Sequence, residues 1–115
     1  MNVAVIGSRD FNDYELVKDT LKHINITKLI SGGALGADTL GERYADENKI
    51  AKMIFLPDWE KHKKAAGFIR NADIVNEAEL IIAFWNKSSK GTKDSIDKAN
   101  KLGKKIIIVN TNYCK

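Results

Sequence analysis

The residues best equipped for chemistry in this 115-residue chain fall in four short segments. They are Gly7-Ser8-Arg9-Asp10-Phe11, Ser31-Gly32-Gly33-Ala34-Leu35-Gly36-Ala37-Asp38, Pro57-Asp58-Trp59, and the stretch from Trp85 to Thr92. The second joins an apolar run to an amphipathic one. Glycines there let the backbone approach an anion with no Cβ in the way, and the helix that follows offers unpaired N–H groups carrying about half a positive charge. Such a junction suits a phosphate group. Asp38 is expected in the first helical turn, either capping amides or accepting from a ribose hydroxyl. The plainer alternative is a tight turn with a helix cap and no ligand.

The other segments offer complementary groups. Arg9 and Arg70 are two of only three arginines in a lysine-rich chain, and arginine presents a planar fork for bidentate phosphate binding that lysine lacks. Surface ion pairs are their alternative role. Trp59 and Trp85 each follow an apolar run and suit either stacking on a base or lidding the core. Ser88, Ser89, Gly91 and Thr92 form a second small-residue turn fit for a phosphate or sugar contact. His23 and His62 have no acid or cysteine at ligand spacing, so neither a metal site nor a catalytic triad is expected.

Two familiar phosphate motifs do not fit. Ser31-x-Gly33-x-x-Gly36 mimics a dinucleotide fingerprint, with Asp58 at a ribose-binding distance downstream, but it follows the second apolar run rather than the first. Gly91-Thr92-Lys93 has the Walker residues in the wrong order and lacks the upstream glycine.

These segments need elements to hold them. Val3–Ile6, Lys28–Ile30, Ala51–Leu56, Leu80–Phe84 and Ile106–Val109 are short apolar runs bounded by turn residues, and they are expected as strands. Tyr14, Val17, Leu21 and Ile24 recur at helical spacing, as do Ile96, Ala99 and Leu102; residues 38–48 and 72–78 are good helix formers. Asn12 or Asp13 suits an N-cap and Gly103 a C-cap. Nearly unbroken apolar strands alternating with helices predict one α/β domain spanning the whole chain, a doubly wound, Rossmann-like sandwich of five parallel strands. In such sheets ligands bind beyond the carboxyl ends of the strands, which is where all four segments fall.

Composition narrows the classes. The net charge is +4, and the excess lies in the second half: twelve Lys/Arg against seven Asp/Glu in residues 58–115, seven against eight before them. Lysines at 61, 63, 64, 87, 90, 93, 98, 101, 104 and 105 are interspersed with acids, which suits a solvated surface better than a basic surface receiving an anionic ligand or a nucleic-acid strand. The single cysteine, Cys114, excludes an internal disulfide and fits a reducing compartment. No apolar run is long enough for a signal peptide or a membrane span. A cytoplasmic protein without membrane association is expected.

Taken in order, these motifs resemble the YspA-like, YpsA-related branch of the SLOG superfamily. The residues carrying the likeness are Gly7 to Phe11, Ser31 to Asp38, Asp58-Trp59 with Ala65-Ala66-Gly67-x-x-Arg70-Asn71, and Ala83-Phe84-Trp85 with Ser89-x-Gly91-Thr92. The resemblance covers nearly the whole chain. It implies a Rossmann-like domain that binds a nucleotide or nucleotide-derived ligand, and self-association into a dimer or larger homo-oligomer. Related proteins include the Lonely Guy phosphoribohydrolases and the DNA-processing protein Smf/DprA. The former carry G-G-x-G-T-x-x-E, whose glutamate assists glycosidic cleavage with an upstream arginine. Ser95 stands at that glutamate position here, although Arg70 matches the arginine. A hydroxyl cannot replace a carboxylate at an oxocarbenium-like transition state, so cleavage would need Asp38, Glu42 or Asp94.

Three functions follow as expectations. The first is a receptor that binds a nucleotide-derived small molecule unchanged, as sensor, carrier or sequestering protein, through Gly7, Ser8, Arg9, Phe11, Ser31, Gly32, Gly33, Gly36, Ala37, Asp38, Asp58, Trp59, Arg70, Asn71, Trp85, Ser89, Gly91 and Thr92. The second is a nucleoside 5′-phosphate hydrolase or transferase; the third is single-stranded DNA binding. Whether Mg²⁺ accompanies the ligand is left open by the sequence.

Overall fold

The computed structural model describes residues 1–111, and Cys114 lies outside them. Five strands, β1 (Asn2–Gly7), β2 (Lys28–Ser31), β3 (Ala51–Ile54), β4 (Leu80–Trp85) and β5 (Lys105–Asn110), form a single sheet in the order β3-β2-β1-β4-β5. Every pairing is parallel. The helices are α1 (Tyr14–Leu21), α2 (Ala37–Glu47), α3 (Trp59–His62), α4 (Ala66–Glu77) and α5 (Lys90–Lys101), with a 3₁₀ turn at Lys63–Ala65 between α3 and α4. No helix among the described residues is long and apolar enough to cross a membrane.

Alternation along the two central strands divides the interior into two cores. Val3 and Val5 of β1 with Leu80, Ile82 and Phe84 of β4 face α1 and α2, where Tyr14, Val17, Leu21, Ala37, Tyr44 and Ala45 pack. Ala4 and Ile6 with Ile81 and Ala83 point the other way, onto Ile74 and Val75 of α4 and Ile96 and Ala99 of α5. Each large aliphatic side chain removed from water this way contributes about 1.5–3 kcal/mol. The register Val3↔Leu80 through Gly7↔Phe84 aligns β1 and β4 so that their carboxyl ends stop side by side.

The expected elements are present with shifted ends. β3 stops at Ile54 rather than Leu56, because Leu56 is exposed and has no core to join. Ile24 falls outside α1, which ends at Leu21, and the Asp13 side chain accepts from Leu16 N as its N-cap. α4 begins at Ala66, six residues before the sequence pattern suggested, and α3 was not anticipated. Asp58 caps α3, accepting from Lys61 N at 3.1 Å. Gly103 sits just past the α5 C-cap, Leu102, at φ +70°, the left-handed position that ends many helices.

One close approach fixes how α2 enters the site. Gly36 is the N-cap of α2 at φ +78°, and an added Cβ would overlap the Ser8 carbonyl oxygen and lie 2.6 Å from Arg9 C. The Ala37 amide donates to that same Ser8 carbonyl at 3.3 Å. The start of α2 is thereby held against the loop after β1. Gly36→Ala is expected to destabilise the fold by at least about 2 kcal/mol, from left-handed strain plus steric overlap; urea denaturation reads this, and a change within error would show that the junction can relax.

Candidate functional site

Strand order reverses between β1 and β4, since α1 leaves β1 toward one face and α5 leaves β4 toward the other. Loops on opposite faces leave a crevice at such a switch point. A cavity of about 280 Å³ occupies this crevice, with Gly7 and Arg9 at the end of β1 and Ser89, Gly91, Thr92 and Ser95 at the start of α5. The α4 side supplies Lys64, Gly67, Phe68, Arg70, Asn71 and Ile74; Ala34, Asp38 and Trp59 complete the wall above Ile6. Two hydrogen bonds close the base of the crevice. Ser8 N donates to Phe84 O at 3.0 Å, and Ser8 Oγ accepts from Asn86 N at 3.2 Å.

The glycine turn after β2 is organised by a resident carboxylate. Asp38 Oδ2 accepts from Gly32 N at 3.0 Å and from Ala34 N at 3.2 Å. Two of the amides expected to meet a ligand are therefore occupied from within the chain. The third, Gly33 N, donates to Ser31 Oγ at 3.2 Å, and Ser31 Oγ in turn donates to Glu42 Oε2 at 2.6 Å. Asp38 is 6% exposed. Burial pushes its carboxyl from the ordinary 3.8 up to about 6, opposed by the Ala34 amide, the Arg70 charge and the Gly32 amide, while the charge of Glu42 adds to the rise. The carboxylate costs stability when ionised.

Arg70 is braced on two sides. Its Nη1 donates to Gly32 O at 2.6 Å and its Nε to Asn71 Oδ1 at 3.0 Å. Asn71 Nδ2 then donates to Gly91 O at 3.3 Å and to Asp94 Oδ2 at 3.1 Å, and Asp94 pairs with Lys98. This chain of contacts links the β2 turn, α4 and α5. A Cβ on Gly32 would overlap Arg70 Nη1, so the glycine makes room for the guanidinium. At the head of α5, Ser89 Oγ accepts from Thr92 N at 3.3 Å and bonds Thr92 Oγ1 at 2.8 Å. The N-cap of α4, Ala65, provides no side-chain cap.

Of the residues singled out in the sequence, Gly7, Arg9, Asp38, Trp59, Arg70, Asn71, Ser89, Gly91 and Thr92 share the cavity wall. Ser95 lines it too, whereas the other expected ligand contacts do not. Phe11 is buried and stacks on Phe84, ring centroids 5.1 Å apart, inside the α1–α2 core, where Ala37 also lies. Ser8, Ser31 and Gly32 shape the loops from behind, and Gly33 turns toward Leu56 and Ile54. Gly36 and Asp58 act as helix caps. Glu42 is held by Ser31 away from the wall. Trp85 packs on the α4–α5 core and its indole N–H donates to Ser89 O at 3.1 Å, which makes it a support for the α5 N-terminus.

Sequence reasoning missed Lys64, Phe68 and Asn86. Asn86 Oδ1 accepts from Ser88 N and Ser89 N, folding the β4–α5 loop, and the signal was an asparagine before two serines, a typical side-chain-stabilised turn. Phe68 was hidden because the start of α4 was placed too late, and Lys64 because the 3₁₀ turn before that helix was not anticipated. Several lysines of the basic half are engaged elsewhere: Lys93 pairs with Asp97, Lys98 with Asp94, and Lys104 donates to the carbonyls of Asn76 and Ala78. Among the described residues no three His, Cys, Asp or Glu side chains are grouped as a metal site would require.

Because the folded-state value of Asp38 lies above its ordinary one, the contribution of this group is fully present below about pH 3.8 and lost as pH rises through about 6. In Asp38→Asn the acceptor oxygen survives without the charge. Lowering pH from about 7.5 to about 4.5 is expected to raise wild-type stability relative to Asp38→Asn by about 2 kcal/mol. Parallel urea titrations of the two proteins measure that difference, and a flat difference would place the carboxyl in a solvated setting.

Residues 1–62 match the family described as YAcAr: YspA, cpYpsA-related SLOG family. Over 116 aligned residues the chain is 33% identical to the Gene 61 protein of Mycobacterium phage D29, an alignment that covers 91% of this chain and 93% of that protein. The chain belongs to the YspA, cpYpsA-related SLOG family.

Proposed function

We propose that the cavity receives a phosphate-bearing, nucleotide-derived small molecule and holds it without cleaving it. The observation carrying this reading is the charge on the wall: three cations, Arg9, Lys64 and Arg70, face one carboxylate, Asp38, which is already committed to two backbone amides. The N-terminal turns of α4 and α5 open on the same space and add partial positive charge. With Asp38 ionised the wall keeps a positive excess, and an anion restores balance. The volume lies just under the common range for small-molecule sites, ~300–1,000 Å³, which suits one nucleotide rather than two joined.

The same wall argues against base release. Among the described residues Asp38 is the single carboxylate lining the cavity, and Ser95, which also lines it, donates to Gly91 O at 3.4 Å. Glycosidic cleavage commonly uses a pair of carboxyl groups flanking the bond. Membership of the family fits nucleotide-related binding or processing and leaves this choice to the site.

A panel of nucleoside mono-, di- and triphosphates tests the reading by thermal shift. A true ligand at about 100 times its Kd adds about 2.7 kcal/mol and raises Tm by several degrees, and chromatography is expected to return it intact. Arg70→Ala should abolish the shift, as should Arg9→Ala, whose exposed side chain is not needed for folding. Free base and sugar phosphate in the eluate would instead establish hydrolysis; no shift with any nucleotide would remove the reading.

A further inference from the structure

Two large aromatic side chains remain unexplained by packing. Trp59 is 59% exposed and Phe68 50% exposed, yet both line the cavity. Leaving such rings in water forfeits hydrophobic stabilisation that burial would supply. Their placement is fixed from outside. Trp59 opens α3 directly after its cap, Asp58, whose carbonyl accepts from His62 N at 2.9 Å. The indole ring lies over Gly67: Cη2 is 3.9 Å from where a Cβ on that glycine would sit. Lys98 Nζ stands over the Phe68 ring, 5.6 Å from its centroid. Trp85, the other tryptophan in the chain, is turned into the core and occupied by Ser89 O.

We infer that Trp59 and Phe68 form the specificity element of the site, taking the planar heterocycle of the ligand, while Arg9, Lys64 and Arg70 take its phosphate. The assignment rests on the anion-receptor reading above and narrows it to base-bearing ligands. A phosphorylated sugar without a base would satisfy the cations and leave both rings wet. A planar heterocycle covers them, and stacking on aromatic faces tolerates different bases because each has a π face. The apolar floor at Ile6 and Ile74 extends the same surface inward.

Isothermal titration with adenosine, guanosine, cytidine and uridine 5′-monophosphates, and with ribose 5-phosphate, tests this. At least one nucleotide is expected to bind about tenfold or more tighter than ribose 5-phosphate, in keeping with the usual worth of one stacked base. Trp59→Ala and Phe68→Ala should each erase most of that margin while leaving ribose 5-phosphate affinity unchanged, and Trp59→Phe should restore much of it. Arg70→Ala should weaken all five. Equal affinity for nucleotides and ribose 5-phosphate, or a margin that survives Trp59→Ala, overturns the stacking assignment and leaves the anion reading standing. Failure of every compound to bind overturns the stacking assignment, and the anion reading falls with it when the nucleoside di- and triphosphates also leave Tm unchanged.

Discussion

The crevice exists because two neighbouring parallel strands send their chains to opposite faces of one sheet. β1 and β4 end level with each other, but α1 packs on one core and α5 on the other, so no helix covers the seam between them. Everything attributed to the site depends on that opening. The seam cannot be allowed to widen, and Ser8 prevents it: its amide extends the β1–β4 ladder by one rung to Phe84 O, and its hydroxyl reaches Asn86 across the gap. A small polar side chain suits that place, since Ser8 is almost wholly buried between the two strand ends.

Around the opening, the chain replaces solvent with its own fixed polar groups. Asp38 behaves as an internal anion in the glycine turn, giving two backbone N–H groups a partner that water would otherwise supply. A buried carboxylate is costly, and the raised value near 6 reflects this. In return the β2–α2 junction acquires one defined shape, with the Gly32 carbonyl aimed at Arg70. The guanidinium then stands between the β2 turn and the Asn71–Asp94 pair. Such preorganisation reduces the ordering that a ligand would otherwise have to impose.

Much of this was legible in the sequence. Apolar runs alternating with helical periodicity are a local property of the chain, so the five parallel strands and the helices other than α3 could be read directly, as could the gathering of loop segments at one edge of the sheet. Arg9 and Arg70 were identified because arginine is scarce in this lysine-rich chain, and Ser89 and Thr92 because they belong to a small-residue turn before a helix. Family resemblance was carried by short contiguous motifs, which an unfolded string displays as well as a folded one.

What the sequence could not convey is which side of a loop each residue faces. Phe11 and Trp85 sit in the same segments as Arg9 and Ser89, yet they point into the cores, because partners such as Phe84 arrive from distant positions. Asp38 was expected in the first helical turn, capping amides or meeting a ribose hydroxyl; it is the partner of a turn four to six residues earlier. Phe68 and Lys64 carried no local mark at all. Residue type and period determined the layers and the rim; only packing between remote segments, where side chains compete for one interior and one opening, decided what faces the cavity.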